Sequence, residues 1–229
     1  MAREALAMIL PVFTGYDSRE AIGWHAFIQS LIETSTDYVL APPLSGKQGD
    51  GTNLFTYQRF MVPELCQWSG MALWLDGADM LLRADIAGLG DLFEPRYAVQ
   101  VVKHFYKTKH ARKYIGTEME ANNEDYERKN WSSLILFNCG HRAHFKAREE
   151  IREAVGEGNG KFLHRFGWLK DKDIGELPIE WNWLPQELGD NPQAKLVHYT
   201  LGIPGFKHYA SDPMSNLWHE TAKTLHSQR

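Results

Sequence analysis

Two carboxylates, Asp76 and Asp79, close the apolar run of residues 71–75. Acids at the mouth of a strand suit a divalent cation such as Mg or Mn, which prefers hard oxygen ligands and keeps open positions for phosphate oxygens. A spacing of two would put both side chains on one face of an extended chain. Here the spacing is three, so the chain must turn between them, and Gly77 permits that turn. Solvated acids capping a strand end account for the same four residues, Asp76-Gly77-Ala78-Asp79. His198 ends a late apolar stretch, where a neutral imidazole either completes a metal site or is a satisfied structural side chain. Arg59 can hold phosphate oxygens through its planar fork or pair with a carboxylate. Tyr16 and Asp17 follow the first apolar run, placed to stack on and read a base, or to act as a surface ring and a helix cap. Trp181, Asn182 and Trp183 set two rings around an amide, which makes a wall for a sugar ring or ordinary core packing. His104, Asn130 and Trp131 also fall near predicted strand mouths.

These residues need elements to position them. Residues 6–14 predict a buried strand ended by Thr14 and Gly15. Asp17 or Ser18 can cap the helix that follows, which carries Ala21, Trp24, Phe27, Ile28, Leu31 and Ile32 on one face. The loop after such a strand is where open α/β folds bind ligands. Residues 41–53, rich in Pro and Gly, predict a polar loop. Residues 53–66 predict a second helix, bent or shortened by Pro63. Residues 71–75, apolar on both faces, predict a central strand. Residues 97–104, 134–137 and 195–199 predict three more strands, and residues 141–155 an amphipathic helix. The alternation argues one α/β domain over residues 1–229, with a mostly parallel central sheet flanked by helices.

The 229 residues, 43% of them hydrophobic, are enough for one such core. Aromatics make up 12%, with 8 Trp, which serve a packed core or a ring-stacking site. A net charge of −4 gives no basic nucleic-acid footprint. Cys66 and Cys139 read as free, buried thiols, as in a reducing compartment. No apolar stretch reaches the roughly 18 residues of a membrane helix. A soluble, cytoplasmic protein is expected.

Residues 75–89, with their acids, apolar stretch and turn, resemble the D-x-D region of retaining GT-A glycosyltransferases. That group includes glycogenin and bacterial lipopolysaccharide galactosyltransferases. Four further segments are similar in the same order. Val12-Phe13-Thr14-Gly15-Tyr16-Asp17 resembles the first strand and nucleotide loop, and Thr56-Tyr57-Gln58-Arg59 the T-Y-x-R helix. Asp171-Lys172-Asp173-Ile174 with Trp181-Asn182-Trp183-Leu184-Pro185 resembles the D-Q-D-I and N-F-M-P pair. His198-Tyr199-Thr200-Leu201-Gly202, with Lys207 beyond, resembles the C-terminal H-x-x-G-x-x-K. The departures are one extra residue in the acid pair, Lys172 for the glutamine, Ser132-Ser133 for Ala-Gly, and wider spacing after His198.

The resemblance implies a Rossmann-like GT-A domain that moves a hexose from a nucleotide diphosphate sugar, UDP-linked, to an acceptor hydroxyl with retention. It implies an Mn or Mg ion held by Asp76, Asp79 and His198. Tyr16, Asp17, Tyr57, Arg59, Asp76 and Lys207 become donor contacts. Asp171 and Asp173 become the catalytic or sugar-contacting pair, and Trp181, Asn182 and Trp183 the sugar or acceptor pocket. The acceptor can be a glycan, a lipid-linked sugar, a modified base in phage DNA or a protein. Two other classes compete. A nucleotidyltransferase needs a Gly-rich, basic phosphate loop near the N-terminus, which Thr14-Gly15-Tyr16-Asp17 supplies poorly. A carbohydrate-binding module would keep the fold without turnover.

Overall fold

The computed structural model describes residues 9–46 and 52–226. The start of the predicted first strand, residues 6–8, and residues 47–51 of the polar loop lie outside them. The chain forms β1 (Leu10–Thr14), α1 (Ala21–Thr34), β2 (Tyr38–Leu40), β3 (Met71–Leu75), β4 (Met80–Leu82) and β5 (Val99–Val101). It continues with β6 (Arg112–Lys113), β7 (Ala121–Asn122), β8 (Leu134–Asn138), β9 (Ile174–Glu176) and β10 (Leu196–His198), with further helices between and after them. Six strands make the central sheet in the order β2-β1-β3-β8-β5-β9. Only β8 runs against its neighbours; the pairs β1–β2, β1–β3 and β5–β9 are parallel.

β3 shows why this sheet is buried on both faces. Its side chains alternate with period two. Ala72 and Trp74 pack into one apolar cluster with Phe60, Val62, Ile151 and Leu163. Leu73 and Leu75 pack into another with Phe27, Leu31 of α1, Met80 and Trp181. Each fully buried leucine contributes roughly 1.5–3 kcal/mol. The end of β3 is therefore a rigid mount for the turn that carries the two acids.

Four expectations need correction. Residues 53–66 form turns, a 3-10 helix at Gln58–Met61 and one helical turn at Val62–Leu65. Pro63 sits in the first turn of that helix, where its missing N–H costs nothing, so the helix is short and not bent. The strand expected at 97–104 is confined to Val99–Val101. The 141–155 helix is two pieces, Arg142–Lys146 and Arg148–Glu157. β10 does not join the central sheet; it pairs antiparallel with β4.

β2 and β9 were not anticipated. Each has three residues and lies at an edge of the sheet, where burial is partial and periodicity faint. Cys66 and Cys139 are free thiols, Cys139 buried and Cys66 half-buried. Among the described residues no helix is long and apolar enough to cross a membrane.

Candidate active site

β1 lies between β2 and β3, so the chain leaves β1 to one side through α1 and then returns to the other. That reversal opens a crevice at the carboxyl ends of β1 and β3, the place where open α/β sheets bind ligands. β8 runs the opposite way, so its beginning faces the same crevice; Asp76 N donates to Ser133 O at 3.0 Å. A cavity of about 610 Å³ opens here, within the usual range for small-molecule sites. Asp76, Asp79, His198, Tyr57, Arg59, Asn130, Ser132 and Ser133 line it from the sheet's mouth. Lys113, Tyr114, Asn122, Tyr126 and Lys129 line it from the excursion between β5 and β8, and His164 and Arg165 from the far wall.

The turn between the acids follows from local geometry. Gly77 has φ +84°, a conformation open to glycine without steric cost. Met80 N then donates to Gly77 O at 2.9 Å. α1 backs the turn closely: a Cβ on Gly23 would come within 2.1 Å of Ala78 O. Past the turn, β4 pairs with β10 and sets Met80 opposite His198. Tyr199 N donates to Asp79 O at 2.8 Å. The two-stranded ribbon thus delivers His198 to Asp79.

The hydrogen bonds around His198 fix its ring. Asn182 Nδ2 donates to Ser133 Oγ at 2.9 Å and to Asn130 O at 3.4 Å, a carbonyl that can only accept. This turns Asn182 Oδ1 toward His198 Nδ1, 2.9 Å away. Nδ1 must then carry the proton, and a neutral ring presents its lone pair at Nε2. Nε2 faces Asp79 Oδ2 at 3.1 Å. A lone pair against a carboxylate requires a proton or a cation between them. Asp79 Oδ1 is buried with no hydrogen-bond partner among the described residues. Asp76, Asp79 and His198, all buried, offer ligand atoms within 4.8 Å of one another. Two hard carboxylates and one imidazole fit a divalent cation.

Asp76 is held from behind. Its Oδ1 pairs with Arg59 Nη1 at 2.7 Å and accepts from Trp74 Nε1 at 2.8 Å. Burial pushes its pKa up to about 6 against the pull of Arg59, with the neighbouring Asp79 adding to the rise. Arg59 also donates Nε to Thr56 O at 2.9 Å and Nη1 to Ser132 O at 2.8 Å. Its guanidinium is therefore the fixed partner of Asp76. His164 Nδ1 bonds Ser132 Oγ at 2.7 Å. Burial, then the charges of Arg59 and Lys113, lower its pKa to about 3, so the ring is neutral. Glu20 is fully buried, with Oε2 accepting from Asn53 and Oε1 without a partner among the described residues. Burial, then the nearby Asp79 and Asp17, hold its carboxyl well above the usual range.

The structure brings Tyr57, Arg59, Asp76, Asp79 and His198 around one cavity and leaves other expected residues off it. Asp17 caps the 3-10 turn Ser18–Glu20, pairs with Arg19 at 2.6 Å and accepts from Leu54 N at 3.0 Å. Tyr16 meets Trp24 edge-on. Trp181 is core, and Trp183 donates Nε1 to Gly189 O at 2.8 Å. Asn182 orients His198 in place of forming a cavity wall. Asp171 is exposed and pairs with Arg128, while Asp173 is half-buried. Lys207 is exposed in the 3-10 turn Lys207–Tyr209. Of the residues expected near strand mouths, His104 is buried and accepts Trp131 Nε1 at its carbonyl, 3.2 Å away.

Sequence reasoning missed Asn53, Lys113, Tyr114, Lys129, His164 and Arg165. Residues 105–130 carry no apolar period, and a lone histidine such as His164 gives no motif.

Comparison with known proteins places this geometry. No family model matches the chain. The chain is 35% identical over 224 residues to Protein CDI of Arabidopsis thaliana, covering 90% of this chain and 83% of that protein. Its structure is similar to the glycosyltransferase GlyE of Streptococcus pneumoniae TIGR4, with a TM-score of 0.65 at 10% identity over 94% of this chain. It is also similar to the bifunctional glycosyltransferase WbbM, with a TM-score of 0.57 at 18% identity over 96% of this chain. The chain spans 60% of the GlyE chain and 50% of the WbbM chain. The likeness is one of fold: an α/β domain with a mostly parallel sheet, as in these glycosyltransferase structures.

Proposed function

The chain belongs to the family of Arabidopsis Protein CDI, and from its glycosyltransferase-like fold and the cluster of Asp76, Asp79 and His198 we propose a metal-dependent glycosyltransferase. It moves a hexose from a nucleotide diphosphate sugar, UDP-linked, to an acceptor hydroxyl, with retention of configuration. One observation carries the reading. Three buried ligand atoms from Asp76, Asp79 and His198 converge at the switch point, where Asp79 Oδ1 has no hydrogen-bond partner among the described residues.

Asp79 and His198 are the principal ligands of Mn or Mg, with Asp76 as the third. A divalent ion bound there supplies Lewis-acid stabilisation of the charge on a departing diphosphate. The chain's own residues do the rest. Arg59 holds the Asp76 carboxylate in place. Asn182 holds the His198 tautomer. Tyr57 and the hydroxyls of Ser132 and Ser133 offer a ring and polar groups to the donor from the cavity wall. Asp171, Asp173 and Lys207 have no place in this site, because none lines the cavity.

The test is incubation with Mn and a panel of nucleotide sugars, following nucleotide diphosphate release. Slow hydrolysis of one donor, lost with EDTA and in Asp79→Ala, is expected. No hydrolysis of any donor and no metal-dependent nucleotide binding would sink the proposal. The anomeric configuration of the transferred sugar, read by NMR, decides retention.

A further inference from the structure

We propose that Lys113, from the β6–β7 hairpin, supplies the positive charge that holds the donor's diphosphate, in place of Lys207, which the resemblance implies as a donor contact. This rests on the donor reading above. Lys113 lines the same cavity as Asp76, Asp79 and His198. It forms no ion pair and no hydrogen bond among the described residues; its ammonium meets only the Tyr114 ring, 5.6 Å from the centroid. Of the other cations lining the cavity, Lys161 and Arg165 stand on the side of His164, and the two beside Asp76 and the β6–β7 hairpin are engaged. Arg59 is locked to Asp76, and Lys129 Nζ donates to Asn123 Oδ1 at 2.6 Å and Glu124 O at 2.8 Å.

The hairpin holds Lys113 there by contacts to the segment after His198. Tyr114 N donates to Leu201 O at 2.6 Å, and Ile115 N to Tyr209 Oη at 2.8 Å. Arg112 and Glu120 brace the hairpin across its two strands at 2.7 Å. The hairpin is thus fastened to the segment that carries the motif lysine, and Lys207 itself is exposed and not among the residues lining the cavity. Burial lowers the Lys113 pKa, while the carboxylates of Asp79, Glu20 and Asp76 oppose that shift. An ammonium held half-buried without a partner is costly unless an anion arrives. A diphosphate bridging toward the acid cluster supplies that anion, with charge-assisted hydrogen bonds.

The test is calorimetric binding of a nucleoside 5′-diphosphate and the matching monophosphate, with Mn present, to wild type, Lys113→Ala, Lys113→Arg and Lys207→Ala. Lys113→Ala is expected to weaken the diphosphate about tenfold or more and the monophosphate less than threefold. Lys113→Arg keeps most of the affinity, and Lys207→Ala stays within twofold of wild type. Thermal unfolding of each variant separates lost binding from lost fold. Diphosphate affinity unchanged in Lys113→Ala, or lost instead in Lys207→Ala, overturns the assignment. Diphosphate binding that depends on Lys113 in a protein that hydrolyses no donor supports it while removing the transferase reading. A wild type that binds no diphosphate overturns both.

Discussion

His198 Nε2 lies 3.1 Å from Asp79 Oδ2, although the two residues are 119 positions apart in the chain. The β4–β10 register makes the contact, and Asn182 decides its chemistry by holding the proton on Nδ1. The pair then sets an imidazole lone pair against a carboxylate, an arrangement that fits a proton or a cation between them.

Removing the residue that orients the ring should weaken the metal site without emptying it. Asn182→Ala frees the His198 tautomer and is expected to lower Mn affinity roughly 10–100-fold, the usual scale for such a partner. Calorimetric titration of the variant against wild type checks this. Equal affinities would show that Asn182 is packing alone.

Metal binding should depend on pH through Asp76. Its carboxyl titrates near 6 because it is buried. A ligand must be deprotonated to coordinate. Mn affinity is therefore expected to be flat above about pH 7 and to fall about tenfold per unit once the pH drops below the Asp76 value. A titration series from pH 5 to 8 reads this directly, and a constant affinity across the series contradicts the assignment of Asp76 as ligand.

Glu20 should cost the fold stability at neutral pH. Its folded pKa is raised above the ordinary value of 4.5. Between those two values the folded state binds more protons than the unfolded one, so stability falls as pH rises. Glu20→Gln keeps the acceptor for Asn53 and has no proton to lose. Its Tm should exceed that of wild type at pH 7–8, with the gap closing toward pH 4. A gap that does not change with pH would rule out ionisation as the cause.

Arg59 should matter to the fold before it matters to the donor. Arg59→Ala leaves Asp76 as a buried carboxylate without its counter-charge, a loss of roughly 3–5 kcal/mol. Arg59→Lys keeps the charge but cannot reach Thr56 O, Ser132 O and Asp76 together, and should fall between. Urea unfolding of the three proteins orders them; an Arg59→Ala protein as stable as wild type would show the pair to be dispensable.

What the chain declares locally, the sequence determined alone. The apolar run Met71–Leu75, the acids after it and the Gly77 turn are neighbours, so period and spacing were enough to locate a central strand and the turn at its end, while the cation reading of the acids came from the family resemblance. The helix Ala21–Thr34 was legible for the same reason. Tertiary structure decided which polar side chains converge on that end. The pairing of β4 with β10, away from the central sheet, sets His198 against Asp79, and no local pattern encodes that register. Motif position suggested Asp171, Asp173 and Lys207, which are not among the residues lining the cavity. Residues 105–130 offered no periodicity, yet they bring Lys113 and Lys129 to the cavity. The physical reason is range. Apolar alternation reports which face of a segment is buried, whereas convergence of charges depends on strand order and long-range hydrogen bonds that exist only once the sheet has formed.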